Sequence, residues 1–173
     1  MTDYLACLVA PLVHKYHSRG MIIDTNLMLV YIIGHCDIRY MGEFGHTRNY
    51  MAEDHEHISR IMSFFNKKVI TPHVLAELSN LYMTVRKDKR RSCLRPFQKL
   101  LKATDENNID KNEILEHPLL ARIGVTDLGV IKAAKQYGYL VFTDDIRMTG
   151  LAKKAGIDVL NFNHLRLTLG GMK

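Results

Sequence analysis

The chain has 173 residues, 47% of them apolar, with a formal charge of +6 and a mean hydropathy near zero. That is the profile of an ordinary soluble globular chain, long enough for one domain with a real core, residues 1–173. Its three cysteines, Cys7, Cys36 and Cys93, are odd in number and far apart, with no CxxC pair, which argues against a disulfide framework or a zinc ribbon and fits a reducing cytosol.

In chain order, Leu5 to Val13 is apolar, but Asp3 stands where a signal peptide needs positive charge and Pro11 interrupts the run. Leu5, Leu8 and Leu12 recur at helical spacing instead and predict an N-terminal helix over 4–18, broken by Gly20. Met21 to Ile23 reads as a short buried strand, after which Asp24 or Thr25 caps a helix. The apolar run Leu27–Gly34 is too short to span a bilayer, so no membrane association and a cytoplasmic location are expected. Residues 41–47 read as a loop, and 50–65 as a helix with Ile58, Ile61, Met62 and Phe65 as its buried stripe.

A second strand is predicted over 67–71, followed by a strong helix start with Thr71 as N-cap and Pro72 at the first helical position. Residues 85–104 continue as a basic helical region broken near Pro96, and 103–114 as a polar loop. A helix over Asp127–Tyr137 ends at Gly138. A third strand covers 139–143, a helix runs from Arg147 to Ala155 before Gly156, and a fourth strand covers 157–162. Apolar strands alternating with helices predict a parallel sheet with helices on both faces.

Residues 86–102 hold eight basic residues and one acid, leaving sixteen basic and seventeen acidic residues elsewhere. A basic segment on a nearly neutral body suggests a polyanion-facing surface, and Arg86, Lys87, Lys89, Arg90, Arg91 and Arg95 are its candidate contacts. The plainer reading is a solvated helix face.

The acids form a second pattern. Asp24 ends the first strand, Glu77 sits about one and a half turns into the helix after the second, Asp127 opens a helix, and Asp144 and Asp145 follow the third strand. Ligands of parallel sheets bind outside the carboxyl ends of the strands. Several carboxylates gathered there repel unless compensated, and a hard divalent cation compensates them with oxygen ligation. Two such ions would stabilise the attacking and leaving oxygens of phosphodiester cleavage. Any one of these acids alone reads as a helix cap.

The segments "IIDTNLMLVYI", "ITPHVLAEL", "VTDLGVIKAAKQYG" and "LVFTDDIRM", in that order, resemble the four acidic motifs of PIN-domain ribonucleases over roughly residues 20–163. The resemblance implies a Rossmann-like three-layer α/β/α sandwich with a short parallel sheet. It implies Mg²⁺ or Mn²⁺ dependence and endonucleolytic cleavage of RNA. Many small members are toxins of VapC-like toxin–antitoxin pairs and are often dimeric, so an antitoxin partner and a homodimer are further expectations. Carried onto this chain, the catalytic and metal-site acids are Asp24, Glu77, Asp127 and Asp145. Asp145 is preferred over Asp144 because the last motif usually reads Thr, any residue, acid. Asp144 is then auxiliary, and Asn26 and Thr143 would orient carboxylates or water. The helical extension over 1–19 and the basic insertion over 83–121 depart from the most compact toxins.

Other features have plainer readings. His55 and His57 are two residues apart and share no helix face. His73 reads as a polar residue of a first helical turn, and Tyr82 and Phe97 as helix packing rather than base-stacking platforms. A haloacid-dehalogenase-like phosphatase also needs a strand-end Asp, but wants a second Asp two residues on, where this chain has Asn26. A non-catalytic RNA-binding module is the third reading.

Overall fold

In the computed structural model, residues 4–170 are described; Asp3 and the other terminal residues lie outside them. Helix α1 (Tyr4–Tyr16) leads into strand β1 (Met21–Ile23), and then α2 (Thr25–Cys36), α3 (Ile38–Glu43) and α4 (Ala52–Ser63). Strand β2 (Lys68–Ile70) precedes α5 (Pro72–Met83) and α6 (Lys87–Lys102), and β3 (Asp105–Glu106) precedes α7 (Lys111–Leu115) and α8 (Leu120–Tyr137). Strand β4 (Leu140–Thr143), α9 (Ile146–Lys154), β5 (Val159–Asn161) and α10 (Phe162–Gly170) complete the order.

The five strands form one parallel sheet in the order β3-β2-β1-β4-β5. β1 is central: Met21, Ile22 and Ile23 pair with β2 on one side and β4 on the other, and all three are fully buried. Such strands carry no alternation because both faces are covered. From β1 the chain winds outward first toward β3 and later toward β5. Parallel connections of this kind are right-handed as a rule, and helices flanking the sheet on both faces are consistent with a three-layer sandwich. α2 is apolar nearly all round, with seven buried residues, as befits a helix enclosed by α4, α5 and α6.

Several expectations are corrected. The polar stretch 103–114 is not all loop: it holds β3 and the start of α7. β3 has no apolar signature; backbone pairing to β2 at the sheet edge makes it a strand. Helix α3 takes the first half of the stretch 41–47. α6 runs unbroken through Pro96. An internal proline costs about 3 kcal/mol; here Cys93 and Leu100 are buried on either side of it and Phe97 stacks on Tyr82 with centroids 4.6 Å apart. α8 begins before Asp127, and Gly124, at φ +81, breaks it in two, so Asp127 still lies in the first turn of the second piece.

The cysteine expectation also fails. Cys36 and Cys93 form a disulfide that joins the end of α2 to α6, with Cα atoms 4.9 Å apart, while Cys7 is free. The two are 57 residues apart in the chain, and only the packing of α6 on α2 brings them together. The N-terminal helix is docked rather than pendant: Leu5, Val9 and Tyr16 are buried, and Lys15 pairs with Asp158 at 2.7 Å. Among the described residues no helix is long and apolar enough to cross a membrane.

Candidate active site

The sheet order reverses between β1 and β4, and the loops leaving these two strands carry Asp24, Asp144 and Asp145. Asp24 occupies the N-cap position of α2, yet its side chain makes no capping bond there. Its Oδ2 instead accepts from Thr143 Oγ1 at 2.6 Å, and Thr143 Oγ1 accepts from the Asp145 backbone N–H at 3.0 Å. One buried hydroxyl thus joins the ends of both central strands. Asp24 is only 6% exposed and has no salt bridge to a described cation. Burial pushes its carboxyl up to about 7 against the pull of the Thr143 hydrogen bond, and the charges of Asp144 and Asp127 add to the rise.

Asp127 reaches the same region from α8. Burial raises it to about 6, Asp145 and Glu77 add to that, and Arg147 partly offsets them. Glu77 is exposed on α5 and accepts from Thr25 Oγ1 at 3.2 Å, so the first turn of α2 ties it to the group. The four predicted acids are therefore electrostatic neighbours.

The tandem acids after β4 have separate tasks. Asp145 caps α9, its Oδ1 accepting from the N–H groups of Arg147 (2.5 Å) and Met148 (3.0 Å). Asp144 accepts from the Tyr50 hydroxyl and, at 3.5 Å, from Asn26 Nδ2. Behind the loop, Asn161 Nδ2 donates to Thr149 Oγ1 at 2.8 Å and Asn163 Nδ2 to the Asp144 carbonyl at 2.7 Å. Asn26 and Thr143 thus each hydrogen-bond to a carboxylate of the group. Tyr50, Thr25 and Asn163 were missed: each reaches the acids from another element, and a tyrosine just before a helix gives no sequence signal.

The donor set is all oxygen, which suits a hard divalent cation that keeps its own waters. The desolvated, cation-free carboxyl of Asp24 suits one too. Among the described residues no three His, Cys, Asp or Glu side chains are drawn close enough to hold an ion by themselves. Asp24, Asp127 and Asp145 would supply ligands, with Glu77 at the rim. His73, one turn before Glu77, has a buried Nδ1 without a described partner and packs against Gly129 of α8, where a Cβ would lie 3.1 Å from that nitrogen.

The basic residues divide. Arg86 bonds Asp88 at 2.7 Å, Lys89 pairs with Asp37 at 2.7 Å, and Arg90 Nη2 donates to the carbonyls of Met83 (2.6 Å) and Val85 (3.1 Å). These three hold structure. Lys87, Arg91 and Arg95 are exposed and without described partners, as are Lys99 and Lys102 farther along α6. The helix is fixed to the last residue of α2 by Cys36–Cys93, whereas the first residues of α2 touch the acids. Twelve residues of helix separate those ends by about 18 Å.

No protein-family model and no curated protein matches this chain. Among solved structures it is similar to a domain of a functionally unknown protein from Methanocaldococcus jannaschii DSM 2661, at 19% identity and a TM-score of 0.42, covering 82% of this chain and 89% of that one.

Proposed function

We propose that this chain is a metal-dependent endoribonuclease of the PIN-domain kind, with Asp24, Asp127 and Asp145 as its principal acids and Glu77 at the rim. The observation that carries the reading is Asp24: a buried carboxylate without a cation, at the reversal of a parallel sheet, facing further acids. Such a group costs stability unless a ligand compensates it. Bound there, Mg²⁺ or Mn²⁺ supplies charge neutralisation and a hydroxide near neutral pH. The chain's own contribution is positioning. Thr143 fixes the Asp24 carboxylate, capping of α9 fixes Asp145, and Thr25 steers Glu77. An RNA phosphodiester is the substrate of this reading, and a toxin role with an antitoxin partner and a homodimer belong to it as well.

The test is cleavage of RNA with Mg²⁺ or Mn²⁺ and its loss with EDTA. Asp24→Asn and Asp127→Asn should each lower the rate by orders of magnitude, since each removes charge while nearly preserving shape. Asp145→Asn should do the same and Asp144→Asn less, if Asp145 is the fourth acid. Phosphate release from small esters without RNA cleavage would favour a phosphatase, and RNA binding without cleavage a binding module.

A further inference from the structure

A polar cleft of about 390 Å³ opens beside Asp144, walled by Asn26, Asn49 and Asn163 together with His46, Tyr50 and Arg166. Its volume falls within the range of small-ligand sites. Its one cation is already committed. Arg166 Nε pairs with Asp54 at 3.0 Å, its Nη2 donates to the Asn49 carbonyl at 3.2 Å, and its guanidinium lies over the Tyr50 ring at 5.5 Å. Asp54 is itself nearly buried and accepts from the Met51 N–H at 2.7 Å, so this wall is rigid and electrically balanced.

The Tyr50 hydroxyl donates a hydrogen bond to the Asp144 carboxylate, and Asn163 Nδ2 donates one to the Asp144 carbonyl. The side-chain amide of Asn49, the imidazole nitrogens of His46 and the amide oxygens of Asn26 and Asn163 have no described partner. The cleft therefore offers several amide, phenol and imidazole donors and acceptors, one carboxylate, and no uncommitted guanidinium or ammonium group. A phosphate would meet Asp144 without compensation. An uncharged planar group with mixed donors and acceptors fits, and an asparagine amide presents the paired donor and acceptor that matches a base edge.

We propose that this cleft is a base-recognition subsite holding one unpaired nucleobase of single-stranded RNA, next to the phosphodiester that the carboxylates would cleave. The base must be unpaired for its hydrogen-bonding edge to be free. Asp144 belongs both to the cleft and to the surroundings of Asp24, so the subsite reads the nucleotide adjoining the cut. The location next to the cut rests on the nuclease reading; the base-binding chemistry does not.

The experiment titrates the ¹⁵N-labelled protein in EDTA with each of the four nucleoside 5′-monophosphates, and separately with inorganic phosphate. It follows the side-chain amide signals of Asn49 and Asn163 by NMR. At least one nucleotide should shift them saturably while phosphate does not. Asn49→Ala and His46→Ala, both at exposed positions, should weaken that nucleotide about tenfold, the size of one good base-edge contact. In cleavage of single-stranded RNA the same variants should flatten base preference beside the cut. No shift with any nucleotide, or an equal shift with phosphate, overturns the subsite. Nucleotide binding without any RNA cleavage leaves the subsite standing and removes the nuclease. Cleavage with base preference unchanged in both variants removes the subsite and leaves the nuclease.

Discussion

Asp24 shows how a single carboxyl ties stability to pH. Its folded value of about 7 stands well above its ordinary 3.8. The native state therefore holds the proton more tightly than the unfolded chain does. Below the unfolded value both states are protonated and there is no penalty. As pH rises from about 4 through 7, stability falls, to a limit of order 4 kcal/mol for a shift of this size. Asp24→Asn removes the charge but must find an acceptor for its amide, so a net gain of about 1–3 kcal/mol at pH 8 is expected. At pH 4 the gain should vanish. Denaturant melts of both proteins at the two pH values measure it, and a pH-independent difference would contradict the account. At neutral pH, millimolar Mg²⁺ should raise the melting temperature of the wild type more than that of Asp24→Asn, because binding to the native state alone adds stability. Equal shifts would remove Asp24 from any metal site.

Helix α6 separates charges that hold structure from charges that are free. Arg90→Ala should destabilise the protein by about 1–3 kcal/mol, because its guanidinium satisfies carbonyls at the end of α5. On the proposed RNA-cleaving reading it should leave the salt dependence of RNA binding unchanged. Arg91→Glu with Arg95→Glu should do the reverse, flattening the slope of log affinity against log salt by about one unit per lost phosphate contact. A filter-binding series over salt, run beside melts, distinguishes the two. The same helix is stapled by Cys36–Cys93, which closes a loop across 57 residues. Chain entropy gives such a bridge about 4 kcal/mol. Dithiothreitol should accordingly lower the denaturation midpoint of the wild type but not that of Cys93→Ser. An unchanged wild-type midpoint would show that the bridge contributes nothing.

On the scale of the whole molecule, the acids lie at the start of α2 and the anchorage of the basic helix at its end, about 18 Å away along the helix axis. An RNA that meets both must span that distance, about five nucleotides if its bases stay stacked at roughly the 3.4 Å helical spacing. If the chain cleaves RNA as proposed, reversing Arg91 and Arg95 should then raise the KM for long RNA at low salt with little change in kcat. The same variant should cleave oligonucleotides shorter than about five residues as the wild type does. Equal sensitivity of short and long substrates would mean that α6 acts on the site itself.

The sequence alone determined the central strands and the acids that directly follow them, Asp24 after β1 and Asp144 and Asp145 after β4, because both are local. Three apolar residues before Asp24, and three before Thr143, each too short a run for a helix and bounded by Gly20 and Gly138, read as strands covered on both faces. Thr71 and Pro72 mark a helix start by their own chemistry, and Thr71 does cap α5, accepting from the Val74 N–H at 3.3 Å. Tertiary structure decided what depends on distant neighbours. β3 exists through backbone pairing with β2 rather than through its own side chains. Cys36 meets Cys93 because α6 packs on α2. Which basic residues of α6 are held depends on where the ends of α2 and α5 lie, since Lys89 pairs with Asp37 and Arg90 with the Met83 carbonyl. Tyr50 and Asn163 meet Asp144 from residues 94 and 19 positions away, a proximity that only folding creates. Local periodicity records which face of an element is buried; it carries no record of what that face is buried against.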